Sequence, residues 1–198
     1  EVRFPAPGDV DPAFWMPDAK TIAAYQAANL VLLNGADYAK WTARVSLPRS
    51  RLVDTSRAFR DAYIRAAGAV THSHGPGGEH DHGGLAFTTW LDLRQAAQQA
   101  EAIAQALIRK RPDAKAQIER NLDSIEADLL ALDTRIAGIA STDPERPLLG
   151  SHPVYQYLAR RYRLNLHSVM WEPEEVPNER QWAELAGKLA DHPATWML

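Results

Sequence analysis

Residues 113–140 read DAKAQIERNLDSIEADLLALDTRIAGIA, and their periodicity decides the fold. The apolar residues fall at Ile118, Leu122, Ile125, Leu129, Leu132, Ile136 and Ile139, in alternating steps of four and three. That spacing puts all seven on one stripe of a helix. Between them stand Glu, Arg, Asp, Gln and Ala, which are good helix formers or solvent-facing residues. Pro112 suits a helix start, because its missing N–H is an orphan there anyway. Ser141-Thr142-Asp143-Pro144 stops the run. At 1.5 Å per residue the helix is about 40 Å long. Such a stripe fits a coiled-coil seam or a strut packed along one face. It lasts only about four heptads and strand patterns flank it, so the strut is the expectation.

On the N-terminal side, residues 2–4 suggest a strand and Asp18 to Ala28 a helix. Asn29 to Gly35 is a short apolar run closed by Asn-Gly, which suits a buried strand. A helix through Tyr38 and Trp41 and a strand over Arg51–Asp54 follow. Strands alternating with helices predict a mostly parallel sheet, with ligands at the carboxyl ends of its strands. Residues 71–84 break the pattern: they hold five glycines and no large apolar residue, and predict a mobile loop. Trp90-Leu91-Asp92 then leads into a helix through Ala100, Ile103 and Leu107.

Beyond the long helix, Pro147 to Gly150 reads as a strand end and Ser151 to Arg163 as a helix. Leu164 to Val169 alternates like a strand, Trp171 to Asn178 is a loop, and Glu179 to Ala190 is a helix. Residues 194–198 are strand-like, and with residues 2–4 they suggest a chain cut from something longer. The expected fold class is therefore α/β, with a unit at 1–112, a linker helix at 113–141 and a second unit at 142–198.

Composition narrows the function. The 198 residues are 45% hydrophobic and 24% charged, enough for a sizeable core. A net charge of −3 and the absence of a basic cluster exclude a nucleic-acid binder. Arg109-Lys110-Arg111 is the densest positive run, and it closes a helix, where cations offset the dipole. There is no cysteine, which excludes disulfides, thiolate metal sites and a cysteine nucleophile. No run approaches 18 apolar residues, so no helix is expected to span a membrane. Catalytic motifs are missing too: no Gly-x-Ser-x-Gly, no His-Glu-x-x-His and no phosphate loop. Glu172, Glu174 and Glu175 read as a solvated acidic loop. The chain is not expected to be an enzyme.

The histidines carry what chemistry there is. His72, His74, His80 and His82 lie within eleven residues, beside Glu79 and Asp81. Neutral imidazole is the commonest side-chain ligand for first-row divalent metals, and carboxylates add anionic donors. His152 stands apart, at the first turn of the predicted helix after the Pro147–Gly150 strand, where α/β proteins place ligand-binding groups. His167 and His192 read as structural or surface residues.

Ser151-His152-Pro153-Val154-Tyr155-Gln156-Tyr157-Leu158-Ala159-Arg160-Arg161-Tyr162 resembles a "Ser-His-x-Ala-Phe-x-Tyr-Leu-Ala-x-Arg-Tyr" segment of the zinc- and manganese-binding proteins that serve ABC transporters. Asn29 to Gly35 with Trp41 is similar to the same family's "Ala-Asp-Leu-Val-Val-Tyr-Asn-Gly" strand and adjoining helix. Asp11-Pro12 resembles its Asp-Pro-His turn. The His-rich loop before Trp90-Leu91-Asp92 is typical of the zinc-specific branch.

The resemblance implies two α/β lobes with mostly parallel sheets, joined by one long rigid helix, with metal in the cleft. It implies His152 as a metal ligand, with His72, His74, His80 and His82 capturing or delivering the ion. The cargo would be Zn2+, with Mn2+ or another divalent metal as the family's variants, and the partner a membrane ABC transporter permease. The protein would be a monomer in the periplasm or at the cell surface. Two departures stand out. Ala13 occupies the place of the Asp-Pro-His histidine, and Thr88 that of the histidine two residues before Trp-Leu. An acidic fourth ligand would lie past Leu198. The alternative is therefore a divergent member that has lost cleft metal binding and buffers metal through its loop, or binds another ligand or a protein.

Overall fold

A computed structural model describes residues 1–8, 10–65, 71–73, 79–81, 84–171 and 175–198, with 71–73 and 79–81 described for the backbone alone. The first helix, α1 (Ala19–Ala27), starts because the Asp18 carboxylate accepts the Thr21 N–H at 2.7 Å. The apolar run behind it becomes β1 (Val31–Leu33), which pairs in parallel with β2 (Leu52–Asp54), Val31 opposite Leu52 and Leu33 opposite Asp54. Between them the expected helix through Tyr38 and Trp41 is a single 3₁₀ turn at Lys40–Arg44, held by the buried Trp41. Residues 2–4 are not a strand. Val2 and Phe4 lie exposed, and the backbone there finds no neighbour on this two-stranded sheet.

The predicted loop at 71–84 contains a hairpin instead. β3 (Thr71–Ser73) pairs antiparallel with β4 (Glu79–Asp81), and the register sets His72 opposite His80. His74 and His82, and with them the expected mobility of 74–78 and 82–83, lie outside the described residues.

Asp92 caps α2 (Leu93–Lys110), accepting from the N–H groups of Arg94 and Gln95. A 3₁₀ turn at Pro112–Ala114 then leads into α3 (Lys115–Ser141), the predicted long helix, displaced by two residues at its start. The short turn makes α2 and α3 a helical hairpin, and α2 is the main support of α3. The stripe is less covered than its spacing predicts: Ile125, Leu132 and Ile139 are 49%, 43% and 70% exposed. One neighbouring helix covers a narrower arc than two lobes would. The most buried side chain on α3 is Asp133, a position the periodicity assigns to solvent.

After α3, β5 (Leu148–Gly150) pairs in parallel with β6 (Leu166–Ser168). Met197 bridges to Leu149 in parallel, so the strand-like C-terminal residues do join this sheet. The helix expected from Ser151 starts later, as α4 (Gln156–Tyr162), and ends on Arg163 in the left-handed conformation. α5 (Glu179–Asp191) opens with a capping box of Asn178 and Gln181. The result is α/β with two parallel strand pairs separated by a long helix. Among the described residues no helix is long and apolar enough to cross a membrane.

The two halves touch directly. Tyr157 is fully buried, and its hydroxyl accepts from Ile64 N at 3.1 Å and donates to the Ala86 carbonyl at 3.0 Å. Arg160 adds a bond to the Ala62 carbonyl at 2.6 Å.

Candidate functional site

His152 sits in the turn between β5 and α4 rather than on the helix. Gly150 makes the turn possible, because a Cβ there would fall 2.9 Å from both Ser168 Oγ and a Tyr155 ring carbon. The turn is tied down on both sides. Trp171 N donates to the Ser151 carbonyl at 2.8 Å, and Val169 N to the Gly150 carbonyl at 2.9 Å. His152 Nδ1 lies 3.1 Å from the Trp171 carbonyl. A carbonyl can only accept, so Nδ1 carries a proton. That arrangement, one ring nitrogen anchored on a backbone carbonyl, orients an imidazole to present the other to a metal.

The companion positions carry no such donor. Ala13 is 1% exposed and has only its backbone N–H engaged, with Asp11 Oδ1 at 2.8 Å. The Thr88 hydroxyl donates to the Val154 carbonyl, two residues past His152, and so closes the N-terminal half onto the His152 turn. Among the described residues no group of three or more His, Asp or Glu side chains could hold a metal ion. The structure brings Thr88 to the His152 turn, but gathers no ligand set there.

A cleft runs between the carboxyl ends of β1 and β2 and the segment Pro153–Gln156. At its N-terminal wall Gly35 must be glycine. Its φ is +82°, and a Cβ would lie 1.8 Å from Ser56 Oγ. Ser56 is fully buried and donates to Asp54 Oδ1 at 3.0 Å, while Arg60 grips Asp54 Oδ2 at 2.6 Å. Behind them Gln99 Nε2 donates to Thr55 Oγ1 at 2.9 Å and to Asn34 at 3.1 Å. None of these polar residues stands out in the sequence. Only the Asn-Gly after an apolar run hints at them.

His167 and His192 meet each other, and neither lines that cleft. Their rings stack 4.0 Å apart at 14°, and buried His192 donates from Nε2 to the Leu148 carbonyl at 2.9 Å. Burial, with His192 and Lys188 nearby, pushes the His167 pKa down. His192 is buried and His167 exposed, within the sequence's reading of both as structural or surface residues.

The sequence matches the family described as ZnuA, zinc-uptake complex component A periplasmic, over residues 1–197. The chain belongs to that family. It is 26% identical to the zinc-binding lipoprotein AdcA of Streptococcus pneumoniae serotype 4 over 181 residues, covering 88% of this chain and 36% of that relative. It is 25% identical to the high-affinity zinc uptake system protein ZnuA of Bacillus subtilis, covering 97% of this chain and 61% of the relative. The chain thus spans 36% and 61% of the length of these two relatives. In structure it is similar to the metal-dependent lipoprotein YcdH of Bacillus subtilis, with a TM-score of 0.81 at 21% identity, covering all of this chain and 69% of that one. The periplasmic zinc-binding protein TroA of Treponema pallidum gives a TM-score of 0.70 at 19% identity, covering 92% and 63%. These neighbours share the fold of this ZnuA-family chain.

Proposed function

We propose that the chain is the non-catalytic solute-binding part of a zinc-uptake ABC system, exported to the periplasm or cell surface, where it carries the ion to a membrane permease. Residues 1–112 and 142–198 act as its two lobes, and 113–141 as the link between them. The observation that carries this reading is the His152 imidazole, anchored through Nδ1 on the Trp171 carbonyl in a family whose members are named for zinc uptake. Zinc accepts imidazole nitrogen and wants three or four protein donors. His72, His74, His80 and His82 supply the remainder from the segment joined by β3 and β4. A second reading, a member that has lost cleft metal binding, is favoured by Ala13 and by the commitment of Thr88 to Val154.

Zinc calorimetry separates the two. Deletion of residues 71–84 abolishes tight binding on either reading. His152→Ala lowers affinity only if the cleft takes part, and unchanged affinity and stoichiometry would leave the loop alone as the binder. A deletion that binds zinc as tightly as the parent removes the loop from the mechanism.

A further inference from the structure

The cleft at the carboxyl ends of β1 and β2 carries an excess of positive charge. Among the described residues no histidine lines it, and seven Lys and Arg side chains stand against three Asp and Glu, in a chain of net charge −3. One of the three acids, Asp54, is already neutralised by Arg60 at 2.6 Å. Arg44, Arg49 and Arg57 are exposed, and among the described residues none of them pairs with a carboxylate. A concave surface with one sign of charge repels a dication and concentrates anions.

The walls are aromatic as well. Phe14 and Trp15 follow buried Ala13, and Tyr38 packs edge-on against Phe87 at 5.3 Å; all four are half-buried and line the cleft. Lys40 Nζ stands 4.7 Å from the centre of the Phe14 ring, so a cation and a ring share one wall. Half-buried rings beside cations suit a flat ring that carries an anion. Carboxylate fits better than phosphate. Phosphate sites draw on rows of free backbone N–H groups. In the turn that heads this cleft, Ala36 N donates to the Tyr63 hydroxyl at 3.3 Å and Tyr38 N to the Gly35 carbonyl at 3.0 Å. Guanidinium forks remain, and they match a carboxylate with two parallel hydrogen bonds.

We propose that the cleft binds a flat aromatic carboxylate, without metal, as a second ligand of the chain. The ring packs against Phe14, Tyr38 and Phe87, and Arg57 takes the carboxylate. Arg57 opens the 3₁₀ segment Arg57–Ala62 just past β2, the position at which α/β sheets hold their ligands. The inference rests on the reading of the chain as a member whose cleft no longer holds metal, with zinc left to the segment of His72, His74, His80 and His82.

Calorimetry of the full chain tests it with sodium naphthoate, neutral naphthamide, sodium cyclohexanecarboxylate and zinc chloride. Naphthoate binds, and added salt weakens it. Naphthamide lacks the charge and cyclohexanecarboxylate the flat ring, and each binds more weakly by about tenfold or more. Arg57→Ala weakens naphthoate by about tenfold. Phe14→Leu, which keeps the bulk and removes the ring, weakens it by about threefold. Zinc binds with the same affinity whether or not naphthoate is present. Absence of naphthoate binding, equal binding of the three organic probes, or full binding by Arg57→Ala overturns the inference and leaves the reading of the metal sites untouched. Mutual exclusion of naphthoate and zinc shows that the cleft still holds metal, and overturns the reading on which the inference rests.

Discussion

The Asp133 carboxylate is gripped by the Arg161 guanidinium, with Nε donating to Oδ1 at 2.8 Å and Nη2 to Oδ2. Tyr162 donates to Oδ1 at 3.0 Å, and Arg94 reaches Oδ2 at 3.3 Å. This one side chain therefore joins α3 to both α2 and α4. With only 4% of the Asp133 side chain exposed, Asp133→Ala leaves the Arg161 guanidinium with Asp92 alone, 3.8 Å away, and the Tyr162 phenol without its acceptor. The expected loss is about 3 kcal/mol or more, in the range for breaking a buried pair. Urea denaturation reads it directly, and a variant as stable as the parent would mean that the grip adds nothing.

The same carboxylate predicts an acid limb. Arg161, then Tyr162 and Arg94, hold the Asp133 pKa below its ordinary value against the opposing effect of burial. A carboxylate depressed in the fold stabilises above its unfolded pKa of about 3.9, and that stability fades as pH falls from there toward the folded value. Asp133→Asn flattens this part of the stability profile. An unchanged profile below about pH 4 would place the acid sensitivity elsewhere.

His167 governs a different window. Its pKa is lowered in the fold, so the unfolded chain takes up the proton first. Stability from the neutral stack with His192 is complete above about pH 6.5 and declines as pH falls below it. His167→Gln removes the decline that begins below about pH 6.5 and spares the one due to Asp133. Thermal melts across that range check it.

Two glycines behave oppositely. Gly35→Ala meets Ser56 Oγ and Asp54 Oδ1 from a backbone at φ +82°, and destabilises by more than about 1 kcal/mol. Gly138 lies within α3 with nothing inside 4 Å of a new Cβ, so Gly138→Ala stabilises by about 0.5–1 kcal/mol. Equal shifts in the denaturation midpoint would contradict both assignments.

Restoring imidazoles should restore a metal site. Ala13→His with Thr88→His adds two nitrogen donors at positions 13 and 88, and in a background lacking residues 71–84 it raises zinc affinity by at least about tenfold. No gain in that background would place positions 13 and 88 too far from His152 to share an ion.

Much of the fold is legible in the sequence, and the reasons it fails are local. The three-four stripe from Ile118 to Ile139 announces α3, since helical periodicity repeats many times over such a length. It cannot reveal that Asp133, off the stripe, is the buried residue, because that depends on Arg161 and Tyr162, some 28 residues away. Val2 and Phe4 have strand propensity without a partner, and propensity alone forms no sheet. At the site, His152 is visible because its Ser-His-Pro setting is distinctive. Gln99, Ser56 and Gln156 are invisible because ordinary polar residues acquire meaning only from what the fold brings against them.

The Tyr157 hydroxyl bonds Ile64 on one side and Ala86 on the other, across the boundary between the halves. A molecule pinned in this way resembles a fixed jaw more than a trap that swings shut. The space between the halves is therefore shaped before anything enters it, by bonds that belong to the fold itself.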